Sequence, residues 1–153
     1  MFTNKHYAQA MVAFKKAGET RQAYICYAYL LREDARAASD DQVRERADAF
    51  NKAGVAFSTC ANEPESQRGE RLTYSTNAGE CFIQGHRFKE AGHCFMDAEK
   101  YSKAACAYRK DGDFDEMVEV LKRHADKIEA KLLAQLKKVA KVDYFKVGKS
   151  STT

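Results

Sequence analysis

A chain of 153 residues, 44% hydrophobic and 31% charged, is long enough to bury a continuous core and too apolar for a disordered tether. Its formal net charge of +4 is spread along the chain, which permits a nucleic-acid or acidic-membrane partner without requiring one. No stretch approaches the roughly 18 uncharged apolar residues that span a bilayer, and residues 2–10 lack the apolar run of a secretory signal.

The first helix is expected over roughly Asn4 to Ala17, with Tyr7, Ala10, Ala13 and Phe14 at offsets 0, 3, 6 and 7. At about 100° per residue these offsets share one helical face. Ala17-Gly18 ends the helix, because glycine tolerates the left-handed cap conformation. A second helix from Thr20 carries Ala23, Cys26 and Tyr27 on the same template and runs on towards Ala38. Ser39, Asp40 and Asp41 interrupt it and offer an N-cap to the third helix, about Asp41 to Cys60, which bears Phe50, Ala53, Ala56 and Phe57. Residues 62–69 form a polar loop with the only proline, Pro64, and read as a mobile, insertion-tolerant site. A fourth helix, about Glu70 to Gln84, carries Ser75, Ala78, Cys81 and Phe82 and is closed by Gly85.

The template then recurs every thirteen residues, in Phe88, Ala91, Cys94 and Phe95, in Tyr101, Ala104, Ala107 and Tyr108, and in Phe114, Met117, Val120 and Leu121. The turns fall at residues 85–87, 98–100 and 111–113, too short for anything but reversal between antiparallel neighbours. A fixed period of this kind is the signature of stacked helical repeats. Small side chains let helix backbones approach, and aromatics fill the space between them. The last helical region runs from Phe114 to about Tyr144; a break is expected near His124 to Asp126, with Asp126 as N-cap, and one long helix is the alternative. Residues 147–153 read as a frayed, flexible tail after a domain covering 1–146.

Chemistry is sparse. Cys81, His86, His93 and Cys94 are zinc-ligand types, but their spacing lacks the paired C-x(2–4)-C and H-x(3–5)-H pattern, so no metal is expected. Three of the five cysteines, Cys26, Cys81 and Cys94, occupy one template position and read as small buried hydrophobes in a reducing compartment. Gly148-Lys149-Ser150 ends like a phosphate-binding loop, yet Asp143 stands where that motif needs glycine. Neither a catalytic residue nor a cofactor site is expected. From Asp126 to Lys149 the chain holds seven lysines against Asp126, Glu129 and Asp143. Lys131, Lys138 and Lys141 are therefore candidate nucleic-acid contacts, and a solvated lysine face is the plainer reading.

The phrases Ala13-Phe14-Lys15-Lys16-Ala17-Gly18, Phe88-Lys89-Glu90-Ala91-Gly92 and Ala105 to Phe114 resemble tetratricopeptide-type repeats. The thirteen-residue unit gives a twenty-six-residue hairpin, shorter than the usual thirty-four and similar to the solenoids of vesicle-coat and SNAP-type adaptors. The order of elements, ending in Val139-Ala140-Lys141-Val142-Asp143-Tyr144-Phe145, resembles the repeat region of large fungal tetratricopeptide-and-ankyrin-repeat proteins that carry a UvrD-like helicase domain. That resemblance implies an all-α, right-handed αα-superhelix of about seven to eight helices, with short units over 73–124. It also implies a non-catalytic scaffold that is a segment of a larger protein. The expected partner is a protein or an adjacent domain, and the expected place is intracellular, cytoplasmic or nuclear, away from membranes. No Walker A lysine stands on this chain, so helicase activity is not assigned to it.

Overall fold

A computed structural model describes residues 4–141. Among them are eight α-helices and no strand: α1 Asn4–Lys16, α2 Thr20–Ala37, α3 Val43–Ala61, α4 Arg68–Gln84, α5 Phe88–Asp97, α6 Tyr101–Asp111, α7 Phe114–Arg123 and α8 Ala130–Val139. Each helix packs chiefly on its neighbours in the chain. No helix of the described residues is long and apolar enough to cross a membrane. The expected end near Tyr144, the tail at 147–153 and Gly148-Lys149-Ser150 lie outside the described residues.

From α3 to α7 the template places the core. Its small positions and its second aromatic or aliphatic are buried in every unit: Ala53, Ala56 and Phe57; Ala78, Cys81 and Phe82; Ala91, Cys94 and Phe95; Ala104, Ala107 and Tyr108; Met117, Val120 and Leu121. One further position, at offset 4, is as important. Gly54, Gly79 and Gly92 lie there, and a Cβ on each would come within 2.9, 2.7 and 2.6 Å of the ring of Phe82, Phe95 and Tyr108 respectively. Each aromatic thus rests on bare backbone of the preceding helix, which only glycine leaves open. In α6 the same position is Ala105, fully buried.

The reversals are as regular as the helices. Glu19, Arg87, Lys100 and Asp113 each donate a backbone N–H five residues back, to the carbonyls of Phe14, Phe82, Phe95 and Tyr108, at 2.8–2.9 Å. The residue before each donor is left-handed: Gly18 (φ 76°), His86 (φ 61°), Glu99 (φ 59°) and Gly112 (φ 79°). These are Schellman caps, and their acceptors are the template's second aromatic in every case. Gly85 closes α4 as expected, and the residue after it, His86, takes the left-handed conformation. Gly85 is required for a different reason: a Cβ there would collide with the Asn51 amide, whose Nδ2 donates to the Gly85 carbonyl at 3.1 Å.

The N-terminal end departs further from the template. In α1, Ala13 is exposed, and Tyr7, Ala10 and Phe14 are only half-buried. In α2 the buried residues are Ala23, Ala28 and Ala35, whereas Cys26 and Tyr27 stay half-buried. The physical reason is packing: among the described residues α1 has α2 as its main packing partner. An aromatic ladder holds this end, with Tyr7 stacked on Tyr29 at 5.5 Å and Tyr29 edge-on to Phe57 at 4.9 Å.

Two boundaries also move. The residue before α3 is Gln42, without a side-chain cap, so Ser39, Asp40 and Asp41 do not cap that helix. The polar loop is shorter than expected because Arg68 and Gly69 already belong to α4, and the Glu70 carboxylate accepts from the Gln67 N–H at 3.0 Å. Nor does the loop hang free. Ser66 is buried, donates its hydroxyl to the Cys60 carbonyl at 2.8 Å and accepts from Arg21 Nη2 at 3.1 Å. The same guanidinium pairs with Glu70 at 3.1 Å, tying α2 to the start of α4.

The chain does break after α7. His124 leads into a short 3-10 turn at Ala125–Lys127, and Ile128 is extended and buried before α8 begins. Asp126 lies in that turn, and the residue capping α8 is Glu129. The His124 ring stacks on Tyr101 at 3.7 Å, which fixes the break against the start of α6.

Candidate binding cleft

A cleft of 660 Å³ opens across the array. Its walls come from the C-terminal half of α2, the ends of α3 and α4 that face it, the length of α6 and Leu132 at the start of α8. Five cationic side chains line it, Arg32, Arg36, Arg46, Lys103 and Lys110, against the single carboxylate of Glu80. The floor is apolar, formed by residues such as Cys81, Ala107 and Leu132.

The cations are held in place by the template's own rings. Arg46 Cζ lies 5.1 Å from the centroid of Phe50, Lys103 Nζ 5.7 Å from Phe95, and Lys110 Nζ 5.5 Å from Phe88. Arg32 Cζ sits over both Tyr29 and Phe57, at 5.0 and 5.3 Å. Each contact contributes about 0.5–1 kcal/mol at a partly exposed site, and each covers a ring face. Three of the five charges also have a carboxylate nearby: Arg36 pairs with Glu33 at 2.9 Å, Arg32 Nε lies 4.0 Å from the same Glu33, and Lys103 pairs with Glu80 at 3.0 Å. Arg46 and Lys110 have no carboxylate within 4.0 Å among the described residues. The Nε donors of Arg32 and Arg46 are buried without a hydrogen-bond partner.

A second, smaller hollow of 360 Å³ adjoins the cleft and shares Arg46, Ile83, Gln84 and Lys110 with it. The two form one elongated groove with Arg46 and Lys110 at its waist.

The thiols supply no obvious reactivity. Burial pushes Cys60 and Cys81 up to about 11 and Cys94 up to about 12, so all three stay protonated at neutral pH. All five cysteines are free. Among the described residues no three His, Cys, Asp or Glu side chains are grouped to hold a metal ion. His86 sits in its left-handed turn against Phe88, and His93 lies edge-on to Tyr108 on a different helix face from Cys94.

Lys131 and Lys138 are exposed, seven residues apart on one face of α8, and Lys141 is exposed just beyond the helix. None of the three lines the cleft. The five cleft cations are the residues that sequence reasoning passed over. A signal existed in their spacing: Arg32 and Arg36 are four apart and Lys103 and Lys110 seven apart, each pair on one helical face. What the spacing does not reveal is that α2, α3 and α6 bring these faces together.

No protein-family model, no curated protein and no solved structure matches the chain.

Proposed function

We propose that this chain is a non-catalytic helical-repeat scaffold, wound as a right-handed superhelix of tetratricopeptide type, whose cationic cleft docks another protein or another domain of a longer parent chain. The observation that carries this reading is the cleft itself: five cations converge on an apolar floor, two of them lacking a carboxylate partner. The resemblance to proteins with a UvrD-like helicase domain suggests such a parent, with the chemistry residing in the motor and the docking in the repeats.

A second reading is favoured by Lys131, Lys138 and Lys141, which are exposed and unpaired with any carboxylate among the described residues. They would make the C-terminal end an accessory contact to a phosphate backbone.

The test is a comparative capture from nuclease-treated lysate of the source cells, using the chain and its Lys103→Glu/Lys110→Glu variant. A protein recovered at low salt by the first and lost by the second supports docking in the cleft. Identical recoveries from both overturn it. Binding of nucleic acid that a Lys131→Glu/Lys138→Glu variant abolishes would instead favour the second reading.

A further inference from the structure

We infer that the occupant of the cleft is an acidic amphipathic peptide segment, with carboxylates facing Arg32, Arg46 and Lys110 and an apolar side chain seated against Leu132 and Ala107. This rests on the docking reading above and specifies its chemistry. Three features of the groove select that class. The first is donor geometry. The Nε–H groups of Arg32 and Arg46 are buried without a hydrogen-bond partner. Arg46 has no carboxylate within 4.0 Å among the described residues, and Glu33 comes only to 4.0 Å of Arg32 Nε. A guanidinium edge left without a hydrogen bond is matched best by a planar carboxylate, which accepts two parallel hydrogen bonds.

The second feature is the floor. Cys81, Ala107 and Leu132 offer no hydrogen-bonding side chain beyond a buried thiol, so a purely ionic ligand would leave that surface unused. A volume of 660 Å³ falls within the roughly 300–1,000 Å³ of concave ligand sites and accommodates apolar side chains beneath a charged rim. The third is shape. Arg46 and Lys110 line both the main cleft and the adjoining hollow, so the groove is longer than a free anion and fits an extended segment.

The same geometry argues against single-stranded nucleic acid. Stacking of bases needs exposed aromatic faces. Phe50 and Phe95 are 4% and 2% exposed, and Arg46 and Lys103 cover the ring faces that turn towards the cleft.

Fluorescence anisotropy provides the test, with a labelled helical peptide bearing glutamates along one face and leucines along the other. Its comparators are a scrambled peptide of equal composition, polyglutamate and oligothymidylate. The amphipathic peptide should bind about tenfold tighter than either acidic comparator, and its affinity should fall as salt rises. Lys110→Glu, at an exposed position, should weaken it by about tenfold or more, while Lys131→Glu leaves it unchanged. Cys106 lines the cleft and Cys26 does not, so bound peptide should slow maleimide modification of Cys106 relative to Cys26. Circular dichroism and melting of each variant verify that the fold is kept.

Equal binding of the scrambled peptide or polyglutamate, tighter binding of oligothymidylate, indifference to Lys110→Glu, or unprotected Cys106 would each overturn the inference. So would the absence of peptide binding. If the lysate partner still depends on Lys103 and Lys110 while the peptide fails, the docking reading survives and only the acidic-segment chemistry is lost.

Discussion

Replacing Gly92 with alanine tests the glycine–aromatic contact that recurs at Gly54, Gly79 and Gly92. On a solvent-facing helix the change would stabilise by about 1 kcal/mol, because alanine is the better helix former. Here the new Cβ would lie 2.6 Å from Cε1 and 2.8 Å from both Cδ1 and Cζ of Tyr108. Carbon atoms settle at about 3.5 Å or more, so ring and helix must separate by about 0.9 Å. Tyr108 is only 2% exposed, so its ring cannot move without shifting packed neighbours. Overpacking of that kind costs about 1–3 kcal/mol, which cancels or exceeds the propensity gain and leaves a net loss of up to about 2 kcal/mol. In a chain of this size that lowers Tm by up to about 4–8 °C. Gly69 is the control: it is helical, its φ is ordinary and nothing lies within 4 Å of an added Cβ, so Gly69→Ala should raise Tm by a degree or two, for about 0.5 kcal/mol. A Tyr108→Leu background should reduce the cost of Gly92→Ala to below about 0.5 kcal/mol. A Gly92→Ala protein that melts above the parent would refute the glycine–aromatic argument.

Other outcomes follow from the same structure. Phe95→Ala removes a 2% exposed ring from between α4 and α5 and should cost about 3–5 kcal/mol by thermal or urea melting. His86→Gly relieves a left-handed non-glycine residue and should stabilise by about 1 kcal/mol, measured in the same way. Arg21→Ala should accelerate proteolytic nicking between Asn62 and Gln67, since it frees Ser66 and Glu70 together. Buried Cys60, Cys81 and Cys94 and the Tyr108 phenol all have raised folded-state pKa values. Their contribution is therefore complete below the ordinary thiol value of 9.0 and is lost as pH rises towards about 12. Melts at increasing alkaline pH should fall accordingly, and Cys94→Ala should flatten that fall.

The core of α3 to α7 was legible because it depends on a local period. Offsets 0, 3, 6 and 7 put Phe57, Phe82, Phe95 and Tyr108 on buried faces whatever the neighbouring helix contributes. The glycines at offset 4 were not legible as contacts. Within one helix a glycine is only a weak helix former, and the ring that demands it comes from the next element. The same limit explains α1 and α2: Ala13 matches the template, but among the described residues α1 packs chiefly on α2 alone. The cleft was hidden for a related reason. Arg32, Arg46 and Lys110 read singly as solvated charges, and only the stacking of α2, α3 and α6 gathers them over Phe50, Phe57 and Phe88. The loop's tie to α2 was hidden because Arg21, which donates to Ser66, lies 45 residues away in the chain.

Because every helix packs chiefly on its chain neighbours, strength here is assembled in series rather than in parallel. Contacts close in sequence make for rapid folding from local hairpins, without a search for distant strands or halves. Under tension such a chain should yield one helix after another, giving a graded force–extension trace instead of a single rupture. The α1 end, where residues 5–16 are all at least partly exposed, should peel first and the glycine-seated middle should hold longest.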